Sequence, residues 1–276
     1  MKVKFIVNDY NLIWNLLFRA SISENIHKLK QKLWDTYKNE YNIAYNDKIK
    51  ILKDAKNFIP DDDTIYNIVL EQKNYEKIKK QVEKYRLELM KLWDKNSKIT
   101  KDLMNNIVRK EIPDYTFFVV NKELNMIDHS IKGSLTIGKP IDSKNPFSIL
   151  YSITKTIIID NLKKYEEHEK KFMKAIVELA VYNEYATKLN GISCYLSGDP
   201  ELLSLKRWLY PYWLMYLGIP QEEFLSYIMR DKVSFDVDKY AYEKELKKMN
   251  IEEFIDFCIR NQKYIVRAPK ETKEIL

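Results

Sequence analysis

The feature that most constrains the fold of this chain is its scarcity of glycine and proline. Its 276 residues include only 5 glycines and 8 prolines, while 45% are hydrophobic and 13% are aromatic. Strand-rich folds need many tight turns, and those turns depend on glycine and proline. The hydrophobic content is typical of a globular protein and not of a disordered one. The composition therefore predicts a helix-rich chain that can bury a substantial core.

The N-terminal part carries the periodicity of amphipathic helices. Ser23 is a suitable N-cap for a helix that runs to about Tyr45, and Asp63 is suited to cap a short helix that begins at Thr64. A long helix is predicted from about Asn74 to Asp94, followed by a separate one before Pro113. Apolar residues of the long helix recur at helical spacing: Ile78, Val82, Tyr85, Leu89, Leu92 and Trp93. The separate helix covers Lys101–Arg109.

A small sheet is predicted by three β-prone runs. Tyr115–Val120 and Leu135–Ile137 are rich in β-branched and aromatic residues, and Lys2–Val7 is a strand or the opening of the segment Tyr10–Phe18. The residues from Asn121 to Gly133 are typical of turns. We expect a sheet of two to four strands.

The sequence divides into a helical N-terminal region, residues 1–112, and a second region, residues 113–276. The second region holds the sheet and the C-terminal helices, and we expect the two to form one compact unit. The predicted class is a mostly helical α+β fold. The C-terminal helices are expected over Phe147–Lys163, Leu205–Leu217, Gln221–Arg230, Val237–Met249 and Ile251–Asn261.

The stretch from Ile153 to Gly191 combines an apolar helix, a charged connection and a second helix that carries Asn183-Glu184-Tyr185-Ala186. This layout resembles the active-site helix pair of gluzincin metallopeptidases. In that family the first helix carries HExxH, and a glutamate in an NE-type motif on the second helix completes the zinc site. The resemblance covers about 75 residues, from Tyr115 to Gly191, and it implies a zincin-like fold in which Glu184 occupies the position of the third ligand.

The HExxH positions of this resemblance fall on residues that cannot bind zinc. Ile159 and Lys163 stand where the two histidines would be, and Asp160 replaces the general base. A lysine ammonium would repel a dication. We therefore expect Glu184 to point inward and to pair with a lysine, such as Lys163, in place of the metal.

Other metal ligands are few and scattered. His168 opens a sequence similar to HExxH, but Phe172 occupies its second ligand position, so we expect a surface segment there. His27 falls on a charged helix face and His129 in a turn. His168 and Glu184 remain weak metal candidates, and no bound cofactor is expected, although zinc is retained as an alternative.

The charges favour solubility over nucleic-acid binding. The net charge is +7, yet the lysines mostly alternate with acids, as in Glu76-Lys77-Ile78-Lys79-Lys80, and this pattern is typical of solvated helix faces. Trp208, Tyr212 and Tyr216 follow i, i+4, i+8, which favours core packing over a platform for stacking bases. Gly218 is predicted to end their helix.

The chain shows no long apolar run and no signal-peptide cleavage site, so neither a membrane span nor secretion is expected. Cys194 and Cys258 lie far apart, and free thiols in the cytoplasm are the simpler interpretation. The sequence favours a catalytically inactive zincin-like scaffold or interaction protein with a protein partner. The alternatives are a metal-dependent hydrolase with unconventional ligands and a nucleic-acid-binding protein.

Overall fold

The computed structural model describes residues 1–21, 23–54, 57–61, 64–124, 127–131, 134–138, 145–194, 196–220, 223 and 243–266. The predicted class, a mostly helical α+β fold, is confirmed. The chain forms two compact units. Unit 1 comprises Met1–Ser97 and Ile112–Asp160, and unit 2 comprises Lys98–Glu111 and Asn161–Leu276. The sequence placed a boundary between residues 112 and 113. One of the divisions between the units falls one residue earlier, between Glu111 and Ile112.

Helices form most of unit 1, and their bounds follow the apolar periodicity of the sequence. In chain order they are α1 (Asp9–Phe18), α2 (Glu24–Thr36), α3 (Lys38–Tyr45), α4 (Lys48–Lys53), α5 (Ile65–Leu70), α6 (Lys73–Leu103), which continues into the residues of unit 2, and α7 (Ser148–Asp160). The predicted cap Asp63 lies outside the described residues, and α5 follows Thr64.

The helix predicted between Ser23 and Tyr45 is two helices. Ser23 is the N-cap as expected, but Tyr37 adopts φ −131° and ψ 48° and separates α2 from α3. The opposite correction applies to α6. The helices predicted over Asn74–Asp94 and Lys101–Arg109 are joined in one continuous helix across residue 97. Asn96 donates to the Leu92 carbonyl oxygen and Ser97 to that of Asp94, so these polar side chains bond their own helix instead of ending it.

Unit 1 contains a four-stranded sheet with the order β1-β2-β4-β3. Its strands are β1 (Val3–Ile6), β2 (Tyr115–Val119), β3 (Ile127–Ile131) and β4 (Ser134–Ile137). β1, β2 and β4 are parallel, and β3 is antiparallel to β4. The strands predicted over Tyr115–Val120 and Leu135–Ile137 are confirmed as β2 and β4, and of the two alternatives for Lys2–Val7 the strand is observed as β1. The turn predicted for residues 121–133 is wrong over β3. His129 therefore lies in a strand and not in a turn.

The two faces of the sheet are covered by different helices. Phe5 and Phe117 are register partners and stack with ring centroids 5.1 Å apart, and Trp93 of α6 packs against both rings. Because side chains alternate along a strand, Thr136, the partner of Phe118, faces the other way. It accepts a hydrogen bond from Asn11 of α1. α6 and α1 thus lie on opposite faces of the sheet.

Unit 2 begins with the end of α6 and its π-helical turn, Met104–Val108. Its other elements are α8 (Lys170–Glu178), a π-helical turn (Leu179–Tyr185), α9 (Ala186–Asn190), a 3-10 turn (Pro200–Leu202), α10 (Leu203–Leu217), α11 (Glu243–Leu246), α12 (Ile251–Arg260) and α13 (Gln262–Ile265). The helix predicted over Gln221–Arg230 and most of the one predicted over Val237–Met249 lie outside the described residues. The helix predicted at Ile251 is confirmed as α12, which begins with a capping box from Asn250 to Glu253.

α10 carries the aromatic core of unit 2 and ends at Gly218, as predicted, with φ +78°. Tyr212 and Tyr216 are buried, which confirms the core interpretation for them, whereas Trp208 is only half-buried. The centre of the cluster is instead Trp213, whose ring lies 5.1 Å from that of Tyr216 and 5.9 Å from that of Phe254. The spacing i, i+4, i+8 missed Trp213 because α10 is buried around most of its circumference.

Arg109 fixes the end of the first π-helical turn. Its backbone is left-handed, with φ +53°, and its guanidinium donates to the carbonyl oxygens of Tyr216, Lys247 and Met249. The same group lies 4.6 Å from the centroid of the Tyr216 ring. One side chain therefore satisfies the C-terminal end of α10 and the turn before α12.

We expect Trp213→Ala to lower the free energy of unfolding by roughly 3–5 kcal/mol, the usual cost of deleting a buried tryptophan. Trp208→Ala is the matched control and should cost clearly less, because its ring keeps part of its contact with water. Urea unfolding followed by far-UV circular dichroism measures both. Equal losses in the two variants would contradict this description of the core.

Candidate functional site

The residues at the predicted HExxH positions do not share a helix turn. α7 ends at Asp160, three residues earlier than predicted, so Lys163 lies beyond the helix and is exposed. Beyond the helix, the backbone N–H of Lys163 donates to Glu252 Oε2 at 2.7 Å. Ile159 and Asp160 belong to unit 1, and Lys163 and Glu184 belong to unit 2.

Asp160 is held within unit 1 by a tyrosine. Its Oδ2 accepts a hydrogen bond of 2.6 Å from the hydroxyl of Tyr115, at the start of β2. Ile159, one position earlier, is half-buried and offers only a hydrocarbon side chain. The position of the general base is therefore occupied by a carboxylate with a structural partner, and the first ligand position has no donor atom.

Lys163 belongs to a cluster of charged residues around Glu252 and Asp256 of α12. Its Nζ lies 2.5 Å from Asp256 Oδ2 and 5.3 Å from the centroid of the Tyr165 ring. Burial raises the pKa of Tyr165, and the charge of Asp256 adds to this increase. Glu252 and Lys110 also belong to the cluster, because Lys110 Nζ lies 2.8 Å from Glu252 Oε2. Although burial opposes it, the hydrogen bonds from Lys110 and from the Lys163 N–H lower the pKa of Glu252.

Glu184, the predicted third ligand, has a different partner from the one expected. The prediction that it pairs with Lys163 is wrong, because Lys163 pairs with Asp256 and Glu184 Oε1 accepts a hydrogen bond of 3.0 Å from Trp213 Nε1. Burial raises the pKa of Glu184, and the bonds and charges of Trp213 and Lys188 only partly offset the rise. An indole N–H satisfies the carboxylate without neutralising its charge.

Asn183, the neighbour of Glu184, is buried, and neither Oδ1 nor Nδ2 has a partner among the described residues. Both residues lie in the π-helical turn Leu179–Tyr185. π-Helical turns are rare, and many occur at functional positions.

The strongest buried charge pair of the segment involves Glu178, which lies six residues before Glu184. Glu178 Oε2 accepts hydrogen bonds from Lys206 Nζ at 2.9 Å and from the backbone N–H of Asp199 at 3.0 Å, and both side chains are essentially inaccessible. Lys206 Nζ also donates to the Ser197 carbonyl oxygen at 2.8 Å. Gly198 is required here, since a Cβ at this position would lie 2.7 Å from Glu178 Oε2.

One signal of this pair is visible in the sequence. Glu178 interrupts the apolar run Ala175-Ile176-Val177-Glu178-Leu179-Ala180-Val181, and Lys206 follows Leu205 on an otherwise apolar face. A lone charge within such a run requires a partner when it is buried. The identity of that partner depends on tertiary packing.

The remaining metal candidates are not assembled into a site in the described part of the chain. His168 is exposed in the turn before α8, and the side chain of His129 is not described. Among the residues that the structure describes, no three His, Cys, Asp or Glu side chains are grouped so that they could hold a metal ion. The expected absence of a cofactor stays a prediction.

Comparison with protein-family models, with curated proteins and with solved structures finds no match to this chain. None of the described helices combines the length and the apolar character needed to cross a membrane.

We expect Glu184→Gln to raise the melting temperature at neutral pH. The raised pKa means that folding favours the protonated carboxyl, so this residue contributes stability below the ordinary carboxyl pKa near 4.5 and loses it as the pH rises through the raised value. The glutamine keeps an acceptor for Trp213 and carries no charge. Thermal unfolding at neutral and acidic pH measures the difference, which should disappear in acid.

Glu201→Gln, at an exposed carboxyl of the same unit, is the control and should change the melting temperature little at either pH. A lower melting temperature for Glu184→Gln at neutral pH would show that the charged form is required by the fold.

Proposed function

We propose that this protein is a non-catalytic interaction protein of the cytoplasm, built on a zincin-like helix pair that does not hold zinc. The observation that carries the proposal is an exposed aromatic surface in unit 1. We call this the α2–α3 aromatic surface, and it consists of Phe18, Trp34, Tyr41 and Tyr45.

The α2–α3 aromatic surface is an ordered structure that reaches solvent. The rings of Trp34 and Tyr41 lie 5.3 Å apart and those of Phe18 and Tyr45 also 5.3 Å apart, both edge to face. Tyr41 is buried and its hydroxyl donates to the Leu17 carbonyl oxygen. Above it Trp34 is 38% exposed and Tyr45 is 62% exposed. A base of fixed rings thus supports two aromatic side chains that contact water.

Tryptophan and tyrosine are the residue types that contribute most to protein–protein affinity. Their rings provide a large contact area, and a ring held in place before binding loses little conformational entropy in the complex. Ile43 and Ile49, in α3 and α4, are also exposed, at 50% and 64%. The occupant we propose is therefore an apolar surface of a partner protein.

The non-catalytic part of the proposal rests on the chemistry of the residues at the zincin positions. Ile159 has no donor atom, the ammonium of Lys163 is paired with Asp256, and Glu184 accepts from Trp213. A zincin needs two imidazoles and a carboxylate on one ion. The residues present do not fit a zinc ion, so no hydrolytic step is derived for them. Cys194 and Cys258 are free thiols, which supports a reducing compartment.

We expect the purified protein to hold far less than stoichiometric zinc after incubation with zinc and dialysis against metal-free buffer, measured by elemental analysis. The reason is that the three zincin positions together supply one carboxylate and no imidazole. Glu184→Gln is the matched variant. Stoichiometric zinc in the wild type that is lost in Glu184→Gln would instead support the metal-dependent hydrolase.

We expect a photo-reactive phenylalanine analogue at Tyr45 to form one discrete adduct in a lysate of the source cells. The same analogue at Lys171, an exposed residue of unit 2, is the control and should not form that adduct. Adding Trp34→Ser should reduce the adduct, since an aromatic anchor typically contributes more than about 1 kcal/mol of binding free energy. Electrophoresis and mass spectrometry identify the product. Identical adducts at both positions would contradict an interaction site at this surface.

A further inference from the structure

The charges of α6 alternate along the sequence but separate on the helix. At 100° per residue, six lysines between Lys73 and Lys95 fall within an arc of about 60°. We call them the α6 lysine row: Lys73, Lys77, Lys80, Lys84, Lys91 and Lys95. The row runs over 22 residues, or about 33 Å at 1.5 Å per residue. The charged residues of α6 are mixed along the sequence, which predicts a solvated face of both signs. On the helix they form a face of positive charge.

The α6 lysine row is directed away from the protein. All six side chains are exposed, and the buried residues of the helix, such as Tyr75, Val82 and Trp93, lie about 180° from the row. Between Lys73 and Lys95 the acids of the helix border the row and do not interrupt it: Glu76, Glu83 and Asp94 on one side, and Glu88 on the other.

No lysine of the row forms an ion pair with any carboxylate that the structure describes. Two basic residues of α6 outside the row show the contrast, because Lys79 lies 2.8 Å from Asp9 and Arg86 lies 2.7 Å from Glu83. Lys79 and Arg86 are thus neutralised by carboxylates, whereas the row is open to a partner.

We propose that the α6 lysine row binds the phosphate backbone of double-stranded nucleic acid without sequence preference. Protein–protein interfaces are depleted in lysine and depend on an apolar centre, whereas Leu87, beside the row, is the one large apolar residue between Lys73 and Lys95 that is exposed. Phosphate binding, by contrast, needs cations and no apolar centre. Binding to single strands depends on aromatic side chains that stack on bases, and the row has none. A length of about 33 Å spans about ten base pairs.

This surface is separate from the α2–α3 aromatic surface, so either proposal can fail alone. The test uses the full chain and a fluorescein-labelled duplex of about 20 base pairs, which is twice the length of the row. Fluorescence anisotropy gives the affinity between about 50 and 200 mM NaCl. We expect weak binding, with Kd from about 10⁻⁶ to 10⁻⁴ M, and a slope of log K against log salt near −5 for six contacts at about −0.9 each.

The triple variant Lys77→Gln, Lys80→Gln, Lys84→Gln should make this slope shallower by about 3. Glutamine is close to lysine in helix propensity, so the helix is retained, and circular dichroism checks it. The matched control is Lys171→Gln, Lys174→Gln, Lys248→Gln. It removes the same net charge from exposed positions of unit 2 and should leave the slope near the wild-type value.

Three outcomes would overturn the proposal. The first is no anisotropy change with the wild type at the lowest salt concentration. The second is an equal loss of slope in both triple variants, which would show an effect of net charge alone. The third is competition by polyglutamate at the same charge concentration as strongly as by unlabelled duplex, which would assign the row to an acidic protein.

Discussion

The ion pair between Glu178 and Lys206 is the contact on which the rest of unit 2 depends. Both charges are withdrawn from water, and each is satisfied by a second bond, from the Asp199 N–H to the carboxylate and from the ammonium to the Ser197 carbonyl oxygen. Removing one partner of a buried pair leaves an uncompensated charge, at a cost of about 3–5 kcal/mol. α8, α10 and the turn between residues 197 and 199 therefore hold one mutual arrangement.

Each of the two π-helical turns of unit 2 is held by a hydrogen bond to a tyrosine hydroxyl. A π turn shifts the backbone hydrogen bonds by one residue and changes which carbonyls are free. Tyr216 donates its hydroxyl to the Ile107 carbonyl oxygen in the first turn. Tyr185, at the end of the second turn, shares a hydrogen bond of 2.7 Å with Thr100 of α6. In the first turn the tyrosine bonds the irregular backbone itself, whereas in the second turn the tyrosine bonds a side chain of α6. The second turn contains Asn183 and Glu184.

The sequence predicted the class of the fold and most helices, because apolar periodicity is a local property that burial then uses directly. It failed where a distant residue decides the outcome. Lys163 was predicted to lie in a helix, but its backbone N–H donates to Glu252, which is far away in the sequence. The partner of Glu184 was missed for the same reason. The spacing of 21 residues between Lys163 and Glu184 in the sequence says nothing about which side chain approaches the carboxylate of Glu184. β3 was missed because its residues have turn propensity, and only pairing with β4 makes them a strand.

The charge pattern of α6 shows that charges of both signs mixed along the sequence can still form a helix face of one sign. One glutamate and three lysines are mixed along Glu76-Lys77-Ile78-Lys79-Lys80, a pattern that is typical of a solvated face. However, the helix advances 100° per residue, so neighbours in the sequence point in different directions and residues three or four apart share a face. Lys77 and Lys80 therefore stand together, while Lys79 turns toward Asp9 and pairs with it. The mean charge of a segment indicates whether it favours solubility. Whether its surface can bind a polyanion depends on which face of the helix each charged residue occupies.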